Sequence, residues 1–253
     1  MKRKFKKHYS FKENISLVRL IPNLITLSAL CIGLSSIRFA LDEKWELAVI
    51  CILISAFLDG IDGKIARLLN ASSSFGAELD SLCDFVNFGI SPSILIYLWI
   101  FDDYKIKVVS WAIVLFYCVC SALRLARFNT ISINHSLKDG FFIGMPSPAA
   151  GIICLVPLIC EFDIINYTNF SFHSHPLLIG IYQTIIGILM ASRIPTFSFK
   201  DLKISPKYLW IYLILFSTIV ILMFLYTWYI IPFLCLIYVL TIPISYLKYS
   251  KEL

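Results

Sequence analysis

The residues best placed to do chemistry are four acids that occur within 26 positions of otherwise apolar sequence: Asp59, Asp62, Asp80 and Asp84. A charged side chain at the centre of a bilayer costs at least about 2.5–3.5 kcal/mol. Only Lys64 and Arg67 are close enough in sequence to neutralise these acids. Four acids therefore indicate a functional site rather than a set of structural ion pairs.

The spacing of the acids indicates how they are arranged. Asp59 and Asp62 are three residues apart, and Asp80 and Asp84 are four apart, so each pair lies on one face of a helix. Two such helices side by side would enclose cations, because four carboxylates repel one another until a divalent ion joins them. Oxygen ligands without His or Cys favour Mg²⁺, Mn²⁺ or Ca²⁺ over Zn²⁺. Two ions about 3.5–4 Å apart would form a clamp for phosphoryl chemistry.

The residues around the acids are suited to a phosphate ligand. Gly60, Gly63 and Gly76 carry no side chain, which allows a bulky group to approach the backbone. Ala66 is small and lies on the same predicted helix. Arg67 presents a planar fork of donors that matches phosphate oxygens. The segment therefore predicts a phosphate-containing substrate held beside the cations.

The elements that carry these residues are predicted to be membrane helices. Hydrophobic residues make up 59% of the 253 residues, charged residues make up 15%, and the mean hydropathy is +0.82. A soluble domain carries about 25% charged residues, so a soluble or disordered chain is not expected. We predict an all-α, polytopic membrane helix bundle of about eight transmembrane helices, with a short connection near Thr227. The predicted spans are 18–41, 45–69, 76–101, 108–129, 141–162, 175–193, 207–227 and 229–247.

The distribution of charge predicts the orientation of the bundle. The net charge of +6 would suit a nucleic-acid protein, but all except four of the 22 Lys and Arg residues fall on one side of the eight predicted spans. The positive-inside rule then places both termini in the cytosol. No signal peptide is expected, so residues 1–17 form a basic cytosolic segment and residues 18–253 a single membrane domain. The acidic site would open to the cytosol.

Residues 59–84 read DGIDGKIARLLNASSSFGAELDSLCD. This stretch resembles the signature of the CDP-alcohol phosphatidyltransferase family, D-x2-D-G-x2-A-R-x8-G-x3-D-x3-D, and every fixed position matches. The eight matching residues are Asp59, Asp62, Gly63, Ala66, Arg67, Gly76, Asp80 and Asp84. IPNLITL at 21–27 resembles the first-helix segment of the same family.

The resemblance implies a displacement at the β-phosphate of CDP-diacylglycerol that releases CMP. It implies two divalent cations, Mg²⁺ or Mn²⁺, with Asp59, Asp62 and Asp80 as the main ligands. Asp84 would add a ligand or act as the base that takes the acceptor's hydroxyl proton, directly or through a water. The residues implied to bind CDP-diacylglycerol are Asn23, Thr26, Gly63, Ala66, Arg67 and Gly76. A homodimer is also implied.

Three further stretches resemble the branch of the family that uses L-serine as acceptor and makes phosphatidylserine. These are RLARFN at 124–129, GMPSPAA at 144–150 and SRIPTFSFK at 192–200. The resemblance implies serine contacts from Arg124, Arg127, Asn129 and Ser147, although either arginine would equally suit lipid phosphate. Asn87 departs from the branch, which has a small Ser at this position.

Other functions stay open at this point. A related enzyme with glycerol 3-phosphate, inositol or inositol phosphate as acceptor would share the acids and would need more basic residues. An ion-coupled transporter would distribute its acids across the depth of the membrane, whereas these acids cluster towards one face. An inactive relative would not need all four acids. The expected location is a bacterial inner membrane.

Overall fold

The structure, a computed structural model, describes residues 20–71, 73–101, 107–134, 141–163, 172–197 and 209–251. The predicted basic segment 1–17 and the end of the 192–200 stretch lie outside these residues. The helices of the described part are α1 (Ile21–Leu41), α2 (Trp45–Leu68), α3 (Ser74–Asp84), α4 (Ser91–Ile96), α5 (Lys107–Asn134), α6 (Ser147–Cys154), α7 (Val156–Asp163), α8 (Pro176–Ala191), α9 (Leu209–Leu225) and α10 (Thr227–Lys251).

Helices α1 and α2 pack against each other along their length. The buried positions of α1 recur every three or four residues and include Thr26, Ala29, Gly33, Ser36 and Ala40. Small residues on this stripe allow two helix backbones to approach closely, which is the usual way that membrane helices associate. The tight connection between α1 and α2 brings the end of α2 back beside the start of α1.

Helices α3 and α4 belong to one continuous helical stretch, Ser74–Phe101, with π-helical turns at Phe85–Ile90 and Tyr97–Phe101. The stretch begins at an N-cap, where Ser73 Oγ accepts a hydrogen bond from Gly76 N at 3.0 Å. The first π-helical turn follows Asp84 directly and packs against α1, α2, α5 and α6. Such turns are frequent at functional sites.

Asn87, which departs from the serine branch, is buried in the first π-helical turn. A Cβ atom on Gly33 of α1 would overlap the Asn87 side chain. The glycine therefore provides the space that the larger side chain needs. The departure is accommodated by packing.

The prediction of one continuous helix over 141–162 is wrong. Residues Phe141–Ile143 form strand β1, which pairs antiparallel with strand β2, Pro195–Phe197. The helix that follows is divided at Leu155 into α6 and α7. Pro157 has no N–H to donate to Ile153 O, one helical turn earlier, so the helix cannot continue regularly. Tyr182 Oη of α8 donates to Ile153 O instead, at 2.7 Å.

Four helical stretches of the described residues are long and apolar enough to cross a membrane: Ile21–Leu41, Ser74–Phe101, Lys107–Thr130 and Thr227–Tyr246. Helix α9 exposes large apolar side chains such as Trp210 and Phe224 along its length. The short connection predicted near Thr227 is confirmed, because only Tyr226 separates α9 from α10. The chain is an integral membrane protein built almost entirely of helices. The count of eight spans stays a prediction.

Candidate active site

Three of the predicted acids meet where the last turns of α2 lie beside the first turns of α3. One carboxylate oxygen from each of Asp59, Asp62 and Asp80 lies within 4.8 Å of the other two. The spacings of three and four residues produce this arrangement, since they place each pair of acids on the face that its helix turns towards the other. A divalent cation could be held by all three side chains at once.

Asp84 lies one helical turn beyond Asp80, on the side of the cluster nearer the core. Its carboxyl group lies close to the Asp59 carboxyl group. Its Oδ1 atom is buried and has no hydrogen-bond partner among the described residues. Two carboxyl groups this close must share a proton or a cation, because two bare negative charges at that distance repel strongly.

Helix α1 positions Asp62. Thr26 Oγ1 donates to Asp62 Oδ2 at 2.6 Å and also lies 3.0 Å from Pro22 O, one turn earlier in its own helix. The Asp62 residue is only 4% exposed. The hydrogen bond fixes the orientation of the carboxylate beside Asp59 and Asp80.

Among the described residues, none of the four acids forms an ion pair with a basic side chain. The ion pair found among the described residues joins Arg38 and Asp42, at the opposite end of α1. Arg67 is exposed, and its Nε donates to Gly63 O at 3.0 Å. The outer nitrogens of its guanidinium group are therefore available to bind a ligand at the edge of the carboxylate cluster. Carboxylate oxygens that are not paired with basic side chains remain available to bind a metal ion.

A cavity of about 290 Å³ opens beside the acids, between α1, α2 and α3. All six residues predicted to bind CDP-diacylglycerol line it, together with Asp62 and Asp80: Asn23, Thr26, Gly63, Ala66, Arg67 and Gly76. The remaining lining residues, which sequence analysis missed, are Pro22, Ala71, Ser73 and Ala77. Ser73 could have been found from its type, since Ser is a preferred N-cap residue.

Two glycines of the signature, Gly63 and Gly76, lack a side chain for different structural reasons. A Cβ atom on Gly63 would meet nothing within 4 Å, so the residue faces the open cavity. A Cβ atom on Gly76 would lie 3.0 Å from Asn23 Oδ1 and 3.2 Å from Ser73 Oγ. Gly76 thus leaves room for the Asn23 amide, and Gly63 leaves room for a ligand.

Three of the four residues predicted to contact serine lie behind the acids. Arg124 of α5 donates from its NH1 group to Ser147 Oγ, and it lies near Asp84 and Asp59 without forming an ion pair with either. Asn129 Nδ2 donates to Ser81 Oγ at 3.1 Å, and Ser81 follows Asp80 on α3. The three residues therefore belong to the same region as the carboxylates.

Arg127, the fourth residue predicted to contact serine, binds backbone carbonyls at the end of α8. Its NH1 and NH2 groups donate to Ala191 O at 2.8 Å and to Ser192 O at 2.7 Å. These carbonyls lie at the end of α8, where backbone acceptors have no partner within the helix. Arg127 therefore caps α8 and ties it to α5. The serine or lipid-phosphate contact expected from the sequence stays a prediction.

The comparisons with known proteins agree with the geometry. The chain is 35% identical over 196 residues to a protein of Mycobacterium bovis named CDP-diacylglycerol–serine O-phosphatidyltransferase, which covers 76% of this chain and 65% of that protein. The chain thus matches less than two thirds of the length of the mycobacterial relative. A Helicobacter pylori protein of the same name is 36% identical over 202 residues, covering 79% of this chain and 81% of that protein.

A Bacillus subtilis protein, also named CDP-diacylglycerol–serine O-phosphatidyltransferase, is 39% identical over 180 residues, covering 71% of this chain and 91% of that protein. The model of the family described as CDP-alcohol phosphatidyltransferase matches residues 19–233, which include all four acids and every residue that lines the cavity. The resemblance carried by the aspartate signature is therefore confirmed: this chain belongs to the CDP-alcohol phosphatidyltransferase family.

Proposed function

We propose that this chain transfers the phosphatidyl group of CDP-diacylglycerol to L-serine, giving phosphatidylserine and CMP, in a reaction that depends on divalent cations. The observation that carries the proposal is the carboxylate cluster at the edge of a cavity lined by the signature residues. The names of the three bacterial relatives support serine as the acceptor.

We assign the cation ligands to Asp59, Asp62 and Asp80, with Asp84 as a further ligand. The donor set fits, because it consists of oxygens alone and brings three of them within 4.8 Å. Two bound divalent cations, Mg²⁺ or Mn²⁺, would neutralise the pyrophosphate and the charge that develops on the leaving CMP.

The cavity is assigned to the CDP part of the lipid substrate. Asn23 and Thr26 contribute polar groups from α1. On the opposite walls, the small residues Gly63, Ala66 and Gly76 leave space for the nucleotide. Arg67 at the rim is suited to a phosphate oxygen, because its outer nitrogens are directed away from its contact with Gly63. The nucleotide would thus lie next to Asp62 and Asp80.

In the proposed reaction the serine hydroxyl oxygen forms a bond to the β-phosphorus of CDP-diacylglycerol. The bond between that phosphorus and the oxygen bridging to CMP breaks, and CMP leaves with the electron pair. The hydroxyl proton passes to Asp84, directly or through a water. Asp84 suits this role because its Oδ1 is buried and has no hydrogen-bond partner among the described residues.

We further propose that residues 18–253 form one membrane domain of about eight spans with both termini and the acidic site on the cytosolic side. The support is the strong bias of Lys and Arg towards one side of the predicted spans. Residues 1–17 would then form a basic cytosolic segment. A bacterial inner membrane and a homodimeric assembly are part of the same proposal.

The test is CMP release by the purified protein in detergent with CDP-diacylglycerol and Mg²⁺ or Mn²⁺. Parallel reactions contain L-serine, glycerol 3-phosphate, inositol, inositol phosphate or no acceptor. We expect release with L-serine and phosphatidylserine as the lipid product. Release with another acceptor alone would retain the aspartate chemistry and contradict serine. No release with any acceptor, from protein shown to be folded, would contradict the enzyme assignment.

A further inference from the structure

A second cavity, of about 530 Å³, lies between the end of α7 and the connection of α9 to α10. Four of its seven lining residues are aromatic, namely Phe224, Tyr226, Trp228 and Tyr229, and one is the acid Asp163. No basic side chain is among the described residues that line it. The face of an aromatic ring attracts a cation, and a carboxylate adds a full negative charge. This aromatic cavity is therefore suited to a positively charged group.

The packing of α7 against α10 brings the acid and the rings together. The rings of Phe162 and Trp228 meet edge to face, with their centroids 4.8 Å apart. Asp163 is the last residue of α7 and follows Phe162, so it lines the same cavity as the first turn of α10. The acid is half-buried and forms no ion pair with the basic side chains that the structure describes. The end of α7 adds partial negative charge from its last carbonyls, which also favours a cation.

The aromatic cavity lies at the end of the bundle opposite to the carboxylate cluster. Phe162 also lines a neighbouring cavity together with Lys44 and Trp45, where α2 begins. Asp59 stands 14 positions after Trp45, which is about 21 Å along the axis of α2. The aromatic cavity is therefore a separate site, towards the other surface of the membrane, and no side chain in it reaches the acids.

The aromatic cavity is continuous with the surface that faces lipid. Phe224 and Leu225, at the end of α9, line the cavity and are 85% and 68% exposed. Helix α9 exposes further large apolar side chains along its length, among them Phe216 and Ile221. Acyl chains can lie against this apolar surface while a polar head group reaches Asp163. A membrane lipid thus matches both parts of the surface, whereas a small soluble cation would leave the apolar part uncovered.

We propose that the aromatic cavity binds the ammonium group of a zwitterionic phospholipid, with Asp163 as the opposite charge and the rings of Tyr226 and Trp228 as further contacts. The proposal does not depend on the reaction at the carboxylate cluster. A head group that has no ammonium, or whose nitrogen is uncharged, loses both the attraction to the carboxylate and the attraction to the rings. The cavity should thus prefer phosphatidylethanolamine to phosphatidylglycerol.

The test measures lipid binding to the purified protein in detergent by native mass spectrometry. The probes are short-chain phosphatidylethanolamine, the same lipid with an N-acetylated head group, and phosphatidylglycerol. We expect phosphatidylethanolamine to bind about tenfold more tightly than the other two, and Asp163→Asn to remove this difference, as for loss of one hydrogen bond to a charged group. Tyr226→Leu should weaken binding about threefold, whereas Tyr226→Phe keeps the ring and should bind as the unchanged protein does.

Glu46→Gln is the matched control, because Glu46 is an exposed acid at the same end of the bundle and does not line the aromatic cavity. It should bind phosphatidylethanolamine as the unchanged protein does. Equal binding of the three lipids, or undiminished binding of phosphatidylethanolamine by Asp163→Asn, would overturn the proposal and leave the rings as anchors at the membrane surface. Glycerophosphoethanolamine has the same head group without acyl chains. If it bound as tightly as the lipid, a phospholipid would be excluded as the specific occupant.

Discussion

The hydroxyl group of Thr26 in α1 donates to Asp62 Oδ2 in α2 at 2.6 Å, across 36 positions of sequence. This hydrogen bond joins the first helix to the carboxylate cluster. Because the acid is almost fully buried, the direction of its free oxygen depends on how the other oxygen is held. The arrangement of the proposed cation site therefore depends on a residue that is not itself one of the acids.

Replacing Thr26 by Val should weaken cation binding by about 10–100-fold, as is typical when a partner of a metal ligand is lost. The shape of the side chain is nearly kept, and only the hydroxyl is removed. Titration of Mn²⁺ into the purified, metal-depleted variant measures the effect directly. Thr26→Ser keeps the donor and should bind the cation as the unchanged protein does; equal binding by the Val variant would contradict the role given to Thr26.

Replacing Asp84 by Asn should lower kcat by at least about 100-fold, because the variant has no carboxylate to accept the hydroxyl proton. The amide is nearly the same size, so the fold should be retained and thermal unfolding should stay close to that of the unchanged protein. Glu78→Gln is the matched control, since Glu78 lies on the same helix and is exposed. Normal turnover by Asp84→Asn would contradict the role of Asp84 as base and ligand.

Replacing Gly76 by Ala should raise the KM for CDP-diacylglycerol several-fold. The new methyl group would lie 3.0 Å from Asn23 Oδ1 and would displace the amide from the wall of the cavity. Gly60→Ala is the comparison, because a Cβ atom there would meet nothing within 4 Å. If both variants had the KM of the unchanged protein, Asn23 and Gly76 would have no part in holding the nucleotide.

Replacing Arg127 by Ala should destabilise the protein without altering its affinity for serine. The variant loses two hydrogen bonds that tie α5 to the end of α8. A loss of about 1–3 kcal/mol is expected, which would lower the midpoint of thermal inactivation by several degrees. The KM for L-serine, measured below that temperature, should be unchanged. A large rise in that KM at normal stability would instead support the serine contact predicted from the sequence.

The part of the site that could be predicted from the sequence is the part set by local geometry. Helical spacing alone places Asp59 with Asp62 and Asp80 with Asp84. The small residues of the same stretch were expected to face a ligand, and Gly63 and Gly76 do line the cavity. These relationships follow from a period of 3.6 residues, which a sequence displays directly.

The rest depends on contacts between distant segments. Arg127 is 64 residues from the carbonyl that its NH1 group binds, so its charge and position could not distinguish a helix cap from a substrate contact. The apolar run of 141–162 concealed a strand, because β1 is formed by pairing with β2 more than 50 residues later.

The measurement that tests the account most directly is the conversion of labelled L-serine into lipid by metal-depleted protein supplied with CDP-diacylglycerol. Labelled phosphatidylserine and an equal amount of CMP should form only after Mg²⁺ or Mn²⁺ is added. Asp59→Asn should not respond to either cation. Labelled lipid formed at the same rate without a divalent cation, or formed normally by Asp59→Asn, would contradict the central claim that the carboxylate cluster binds the cations on which the transfer depends.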